Sequence, residues 1–172
     1  MLQGVRILDI SEGISGPFAS KLLSDLGADT VKIERPDAGD VSRTYGPFPE
    51  GIRDLEKSAS FLYFNTSKKG IVLDLQSKSG IDKFKKLLSS YDVVISSQTR
   101  KSLHEQGIGF DFMRSFNSNI ILTTVTDFGS DGPYADYESS HLISCALGGW
   151  ANNCGVPESE PLQAGGAITE TL

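Results

Sequence analysis

Residues 5–34 constrain the fold more than any other part of the chain. Val5-Arg6-Ile7-Leu8-Asp9-Ile10 is an apolar, β-branched-rich segment, and Gly13-Ile14-Ser15-Gly16-Pro17 is a tight glycine turn. Phe18, Ala19, Leu22, Leu23 and Leu26 then recur at helical spacing, Gly27 stops the helix, and Ala28 to Ile33 is again strand-like. Strand, short helix and strand with almost no loop between them make a βαβ unit. Such a unit forces parallel pairing and a right-handed crossover.

The rest of the chain repeats that alternation. Residues 58–64 form a short apolar helix, residues 71–75 an extended piece, residues 78–90 a helix with Ile81, Phe84, Leu87 and Leu88 on one face, and residues 91–96 a strand. Helical pieces at 101–105 and 109–116 precede a strand at 120–126 and a helix at 138–149. The pattern predicts an α/β fold: an open, mostly parallel, Rossmann-like sheet with helices on both faces. Residues 35–57 carry Pro36, Gly39, Gly46, Pro47, Pro49 and Gly51, which predicts a long exposed loop. A loop of that length commonly covers a site.

Composition narrows the function. The 172 residues carry a net charge of -6, which argues against a nucleic-acid groove or an anionic membrane surface as partner. No window approaches the run of apolar residues a spanning helix needs, and the first twenty residues lack an export signal, so the expected location is cytoplasmic. Cys145 and Cys154 make no disulfide framework and have no histidine pair beside them, so no metal site is expected.

The motif order resembles the class III coenzyme A transferases, the family of formyl-CoA and carnitine CoA transferases. The resemblance rests on Leu8-Asp9-Ile10 with Gly16-Pro17, on Leu26-Gly27-Ala28-Asp29, and on Lys32-Ile33-Glu34-Arg35-Pro36 with Gly39-Asp40 and Arg43. It continues through Phe64-Asn65-Thr66-Ser67-Lys68-Lys69-Gly70, Leu73-Asp74-Leu75, Asp92-Val93-Val94, Gly107-Ile108-Gly109, Gly132-Pro133-Tyr134 and Gly155-Val156-Pro157-Glu158. The resembled enzymes are longer, interlocked homodimers. The resemblance therefore implies that residues 1–172 are the amino-terminal part of the large CoA-binding domain. The small domain and the closing segments would lie outside this chain, with a second copy or partner chain completing the fold.

The resemblance also implies substrates and roles. Coenzyme A or acyl-CoA and a carboxylic acid would be substrates, with no permanently bound cofactor. Ile14, Ser15 and Gly16, at the start of the first helix, would present backbone amides to the ligand, and Arg35, Arg43, Lys68 and Lys69 would neutralise its phosphates. In the resembled enzymes an aspartate attacks the acyl-CoA thioester to form a mixed anhydride. CoA leaves as a thiolate, and an acceptor carboxylate takes over the transferred group. Glu158 occupies that position here, with one methylene more. Ile14 replaces an active-site glutamine and Glu105 a cofactor-binding arginine, which points to a divergent copy with impaired chemistry.

Two alternatives follow. One is a non-catalytic CoA-binding or structural unit of a tandem or heteromeric transferase. The other is a racemase-like proton transfer on a 2-methylacyl-CoA, for which His141 is the candidate base.

Overall fold

The structure, a computed structural model, describes residues 1–156, 158–162, 165–166 and 168–171. The chain divides into two compact units, Met1–Thr126 and Asp127–Leu172.

The first unit is built on five parallel strands: β1 (Arg6–Asp9), β2 (Asp29–Glu34), β3 (Lys69–Val72), β4 (Val93–Ser96) and β5 (Ile121–Thr124). Their order is β3-β2-β1-β4-β5. The chain runs outward from β1 to β3, then crosses back to β4. The carboxyl ends of β1 and β4 thus flank the point where strand order reverses, where open parallel sheets take their ligands. Helices α1 (Ser15–Asp25), α2 (Ala59–Phe64), α3 (Lys78–Leu88), α4 (Arg100–Glu105) and α5 (Phe110–Phe116) make the connections. Ser77 and Thr99 cap α3 and α4 by accepting from the amides of Gly80 and Ser102. The expected α/β sheet with helices on both faces is the one observed.

The two faces of this sheet differ in kind. Side chains alternate along a strand, so Leu8 and Ile10 point one way, and Ile7 and Asp9 the other. Leu8, Ile10, Val31, Ile33 and Val94 meet Phe84 and Leu88 of α3, Leu103 of α4 and Met113 of α5 in one apolar cluster. The opposite face has a smaller cluster around Ile7, Ala28 and Ile95. The rest of that face is polar, with Asp9, Thr30 and Lys32 all buried.

That polarity corrects the expected orientation of α1 in part: Leu23 packs against the Ile7–Ala28–Ile95 cluster, but Leu22 and Leu26 do not turn inward. Leu22 and Leu26 are each 47% exposed, and the buried side of the helix is Gly16, Pro17, Ser20 and Ser24. The sheet beneath decides the matter. Ser20 Oγ donates to Asp9 Oδ2 at 2.7 Å, and Ser24 Oγ pairs with Thr30 Oγ1 at 2.8 Å. Leucines turned inward would leave those buried strand groups without partners.

β3 also starts earlier than the expected 71–75. Pairing with β2 runs from Val31↔Lys69 to Glu34↔Val72, and the chain turns at Asp74, whose carbonyl accepts from Ser77. The loop at 35–57 is more ordered than its prolines and glycines suggest. It holds 3₁₀ turns at Val41–Thr44 and Pro49–Gly51, with Asp40 and Ser42 buried.

The second unit contains α6 (His141–Leu147), a 3₁₀ turn at Ala151–Asn153 and α7 (Ile168–Thr171). Ser140 caps α6, which is shorter than the expected 138–149. Phe128, Tyr134 and Tyr137 cluster with ring centroids 5.2–6.3 Å apart. Among the described residues no helix is long and apolar enough to cross a membrane. Nor is there a His/Cys/Asp/Glu group among them that could hold a metal ion.

Candidate functional site

A crevice of about 510 Å³ opens over the carboxyl ends of β1, β2 and β4 and the turn after β3. Ile10, Ile33, Leu73 and Leu75 form apolar walls, and Glu12, Arg35, Asp37, Asp74, Ser97, Gln98 and Gln106 are among its polar lining. β1, β2, β3 and β4 deliver the residues that follow their last positions here because parallel pairing aligns their carboxyl ends. The Glu12 amide donates to Ser97 Oγ at 2.9 Å, tying the turn after β1 to the segment after β4.

Arg35 is the cation of this crevice. It follows β2 directly and is 53% exposed. Its Nε donates to Gly39 O at 3.0 Å, and its guanidinium lies 3.4 Å from Glu12 Oε2. Burial raises the Glu12 carboxyl above its ordinary value, against the opposing pull of Arg35. Arg35 and the turn that leads into α1 therefore meet at one end of the sheet. Ile14 stands at the helix start without a side-chain cap, and its carbonyl accepts from Phe18. Gly16 is fixed by close approach, since a Cβ there would lie 2.4 Å from Ser11 Cβ. Ser15 is the first residue of the helix.

The other three expected phosphate ligands are engaged elsewhere. Arg43 grips Glu34 with Nε–Oε2 at 2.7 Å and a second nitrogen on Oε1 at 2.9 Å. It also reaches Glu56 and stacks 3.7 Å over the Phe61 ring. Lys68 Nζ donates to Asp9 Oδ2 at 2.9 Å, Pro17 O at 2.8 Å and Asn65 Oδ1 at 2.9 Å, with its side chain 1% exposed. An ammonium has three hydrogens, so none is left for a phosphate. Burial lowers Lys68 to about 8, even though Asp9 pulls it the other way. Lys69 opens β3 and pairs with Asp29, the first residue of β2, at 2.6 Å. It therefore sits at the amino end of the strands, away from the crevice.

On the opposite face of the sheet from the crevice's apolar walls lies a set of buried charges. Lys32 Nζ is 2.6 Å from Asp40 Oδ2 and 3.9 Å from Asp9 Oδ2, and it also donates to Ser11 O. Burial alone would raise the carboxyls of Asp9 and Asp40. Lys32, with Lys68 at Asp9 and the amides of Gly13 and Ser42 at Asp40, outweighs that effect and holds both below the ordinary carboxylate range. Lys32 belongs to the Lys32-Ile33-Glu34-Arg35-Pro36 motif but is not among the candidate site residues that the sequence suggests. Its signal was the polar alternation of Thr30, Lys32 and Glu34 along a strand otherwise read as buried.

In the second unit Glu158 is exposed, and Pro157, from the same motif, lies outside the described residues. His141 Nδ1 is 3.8 Å from Glu170 Oε2, and His141 Nε2 is 3.6 Å from Cys145 Sγ. The sequence reading missed Glu170. His141 and Cys145 are one helical turn apart and legible as neighbours, but Glu170 comes from α7, and no local spacing links it to them.

The CoA-transferase family III model matches residues 2–171. The chain belongs to CoA-transferase family III. Its sequence is 33% identical over 171 residues to the succinate–glutarate CoA-transferase of Agrobacterium fabrum, covering 98% of this chain and 43% of that protein. It is 32% identical over 172 residues to the formyl-CoA:oxalate CoA-transferase of Streptomyces avermitilis, covering 99% and 40%. The fold agrees with the crystal structure of a CAIB/BAIF family protein from Brucella suis at a TM-score of 0.88 and 31% identity, over 99% of this chain and 45% of that one. The chain thus spans less than half the length of these family III relatives. The resemblance read from the motifs and the family III membership coincide.

Proposed function

We propose that this chain provides the nucleotide-binding part of an enzyme that moves coenzyme A between an acyl-CoA thioester and a carboxylic acid. The observation that carries the reading is the meeting of Arg35 with Glu12, at the start of the turn that leads into α1, over an apolar-walled crevice at the strand switch point. The Ile10, Ile33 and Leu73 walls suit a purine ring. Arg35 and the amides at the start of α1 suit the attached phosphates. Lys68 and Arg43, spent on Asp9 and Glu34, act on the surrounding structure rather than touching the ligand.

The chemical step needs a carboxylate nucleophile. Attack on the thioester carbonyl forms a tetrahedral oxyanion, whose collapse expels CoA thiolate and leaves an acyl anhydride on the enzyme. The acceptor carboxylate attacks the acyl carbonyl of that anhydride, which frees the enzyme carboxylate and leaves a donor–acceptor mixed anhydride; CoA thiolate then attacks its acceptor carbonyl, forming the new thioester and releasing the donor acid as its carboxylate. Glu158 holds this role by the motif resemblance, while Glu170 is a second candidate because it faces His141. Segments beyond residues 1–172, from the same polypeptide or from a second copy of it, would complete the site. Val72 and Ile121, on the two outer strands, are exposed apolar residues consistent with further covering.

The test is to mix the full-length protein with acyl-CoA and look for an adduct cleavable by hydroxylamine. Its loss in Glu158→Gln identifies Glu158, and its loss in Glu170→Gln identifies Glu170. Saturable CoA binding with no adduct in the parent protein would instead make this a binding unit of a heteromeric transferase.

The His141–Glu170 pair also favours a second reading, proton transfer at the α-carbon of a 2-methylacyl-CoA. Incorporation of deuterium from heavy water without change of thioester partner would establish it.

A further inference from the structure

We propose that the buried Asp40 side chain, seated against Lys32, is a positioning device whose acceptor oxygen Oδ1 sets the Ser11–Gly16 turn and Arg35 relative to each other before a ligand arrives. The proposal rests on the reading that this crevice binds coenzyme A. One carboxylate does most of the joining. Asp40 Oδ2 faces Lys32 Nζ at 2.6 Å, while Oδ1 accepts from the Gly13 amide at 3.0 Å, the Ser42 amide at 2.8 Å and Ser42 Oγ at 2.7 Å. Lys32 extends the link by donating to Ser11 O. The turn after β1, the middle of β2 and the 3₁₀ segment are thereby fastened at a single point.

Arg35 is tied to the same point through the backbone. Its Nε donates to Gly39 O, and the next residue is Asp40, whose amide donates to Glu34 Oε2 at 2.9 Å. Gly39 has φ +64°, and a Cβ there would lie 2.7 Å from Glu34 Oε2. The tight turn is what brings Asp40 inward while leaving Arg35 at the rim.

Stability alone does not account for the pair. Removing two charges from water is costly, and an apolar pair of similar volume often serves a core as well or better. An apolar pair has no oxygen to hold the Gly13 and Ser42 amides, whose loss of partners would itself be costly in a dry site. The charge on Lys32 keeps the Asp40 carboxylate ionised and pointed at them.

The test compares Asp40→Ala with the paired variant Lys32→Met/Asp40→Asn, which removes both charges but keeps an oxygen for Gly13. Two readouts are used: hydrogen exchange of the Gly13 amide, and affinity for coenzyme A in titration. Asp40→Ala is expected to speed Gly13 exchange and weaken coenzyme A binding by about tenfold or more. The paired variant is expected to stay within about threefold of the parent in both. If Asp40→Ala does not fold, Asp40→Ser, whose hydroxyl is too short to reach Gly13, carries the same expectation. Unchanged exchange in the Ala or Ser variant overturns the proposal, as does loss of both properties in a folded paired variant. A parent protein that ignores coenzyme A refutes the crevice reading instead, and Gly13 exchange still decides the positioning role.

Discussion

Lys68 Nζ stands 2.9 Å from Asp9 Oδ2, and both side chains are shut away from solvent beneath the first helix. A lysine in a Lys-Lys-Gly motif reads as a surface cation, yet here it belongs to the core. Replacing Lys68 by Met leaves Asp9 with Lys32, 3.9 Å away, as its remaining cationic partner among the described residues. Because Lys32 and the hydroxyls of Ser11 and Ser20 still compensate Asp9, we expect a loss of ~1–3 kcal/mol in urea denaturation, below the full penalty for a stranded buried charge. Coenzyme A affinity per folded molecule should change far less than stability.

The pH dependence follows from the same groups. Asp9, Asp40 and Glu34 titrate below their ordinary values when folded. The folded state therefore binds fewer protons than the unfolded one in that range. Their stabilisation is complete above about pH 5 and declines as pH falls through and below about pH 4. Lys68 is a base lowered to about 8. Between that value and its unfolded value the unfolded chain again holds more protons, so the Lys68 contribution to stability rises with pH. Denaturation midpoints of the parent relative to Lys68→Met, measured from pH 7 to about 10, should show that rise.

Arg35→Ala should weaken coenzyme A binding by about tenfold or more, with the difference shrinking as salt is added. Because Arg35 is exposed, unfolding free energy should move by no more than about 0.5 kcal/mol. Calorimetric titration at two ionic strengths, alongside a melt, checks both. An affinity indifferent to this substitution would remove the crevice from consideration as the phosphate site.

Gly16→Ala drives a methyl group into Ser11, 2.4 Å from its Cβ. Overpacking of this sort costs about 1–3 kcal/mol. Ser11→Gly in the same chain should recover part of the loss. Recovery stays partial because Ser11 also donates to Asp9. Thermal melts of the two single variants and the double variant measure the coupling.

Much of the first unit was legible because its signals are local. The glycine turn, the stop at Gly27 and the β-branched runs each specify their own few residues, and together they gave the βαβ order. The orientation of α1 was not legible in that way. Hydropathy favours burying Leu22 and Leu26, and only the charges of β1 and β2 on the facing side reverse the preference. Arg35 could be placed from sequence because it directly follows a strand. Lys68 and Lys69 could not be told apart, because a strand that begins between them sends one ammonium under α1 and the other to Asp29. The pairing of His141 with Glu170 depends on how α6 and α7 pack, which no local pattern encodes.

The serine-lined underside of the first helix gives the two sides of the sheet different responses to heat. Charged groups become less costly to dehydrate on warming, whereas apolar burial gains little more per unit area. The ionic side, with Asp9, Lys32, Asp40 and Lys68, should thus keep its grip relative to the apolar side as temperature rises. Early loosening is then expected in the packing of α3, α4 and α5, with the first turn among the last places to give way.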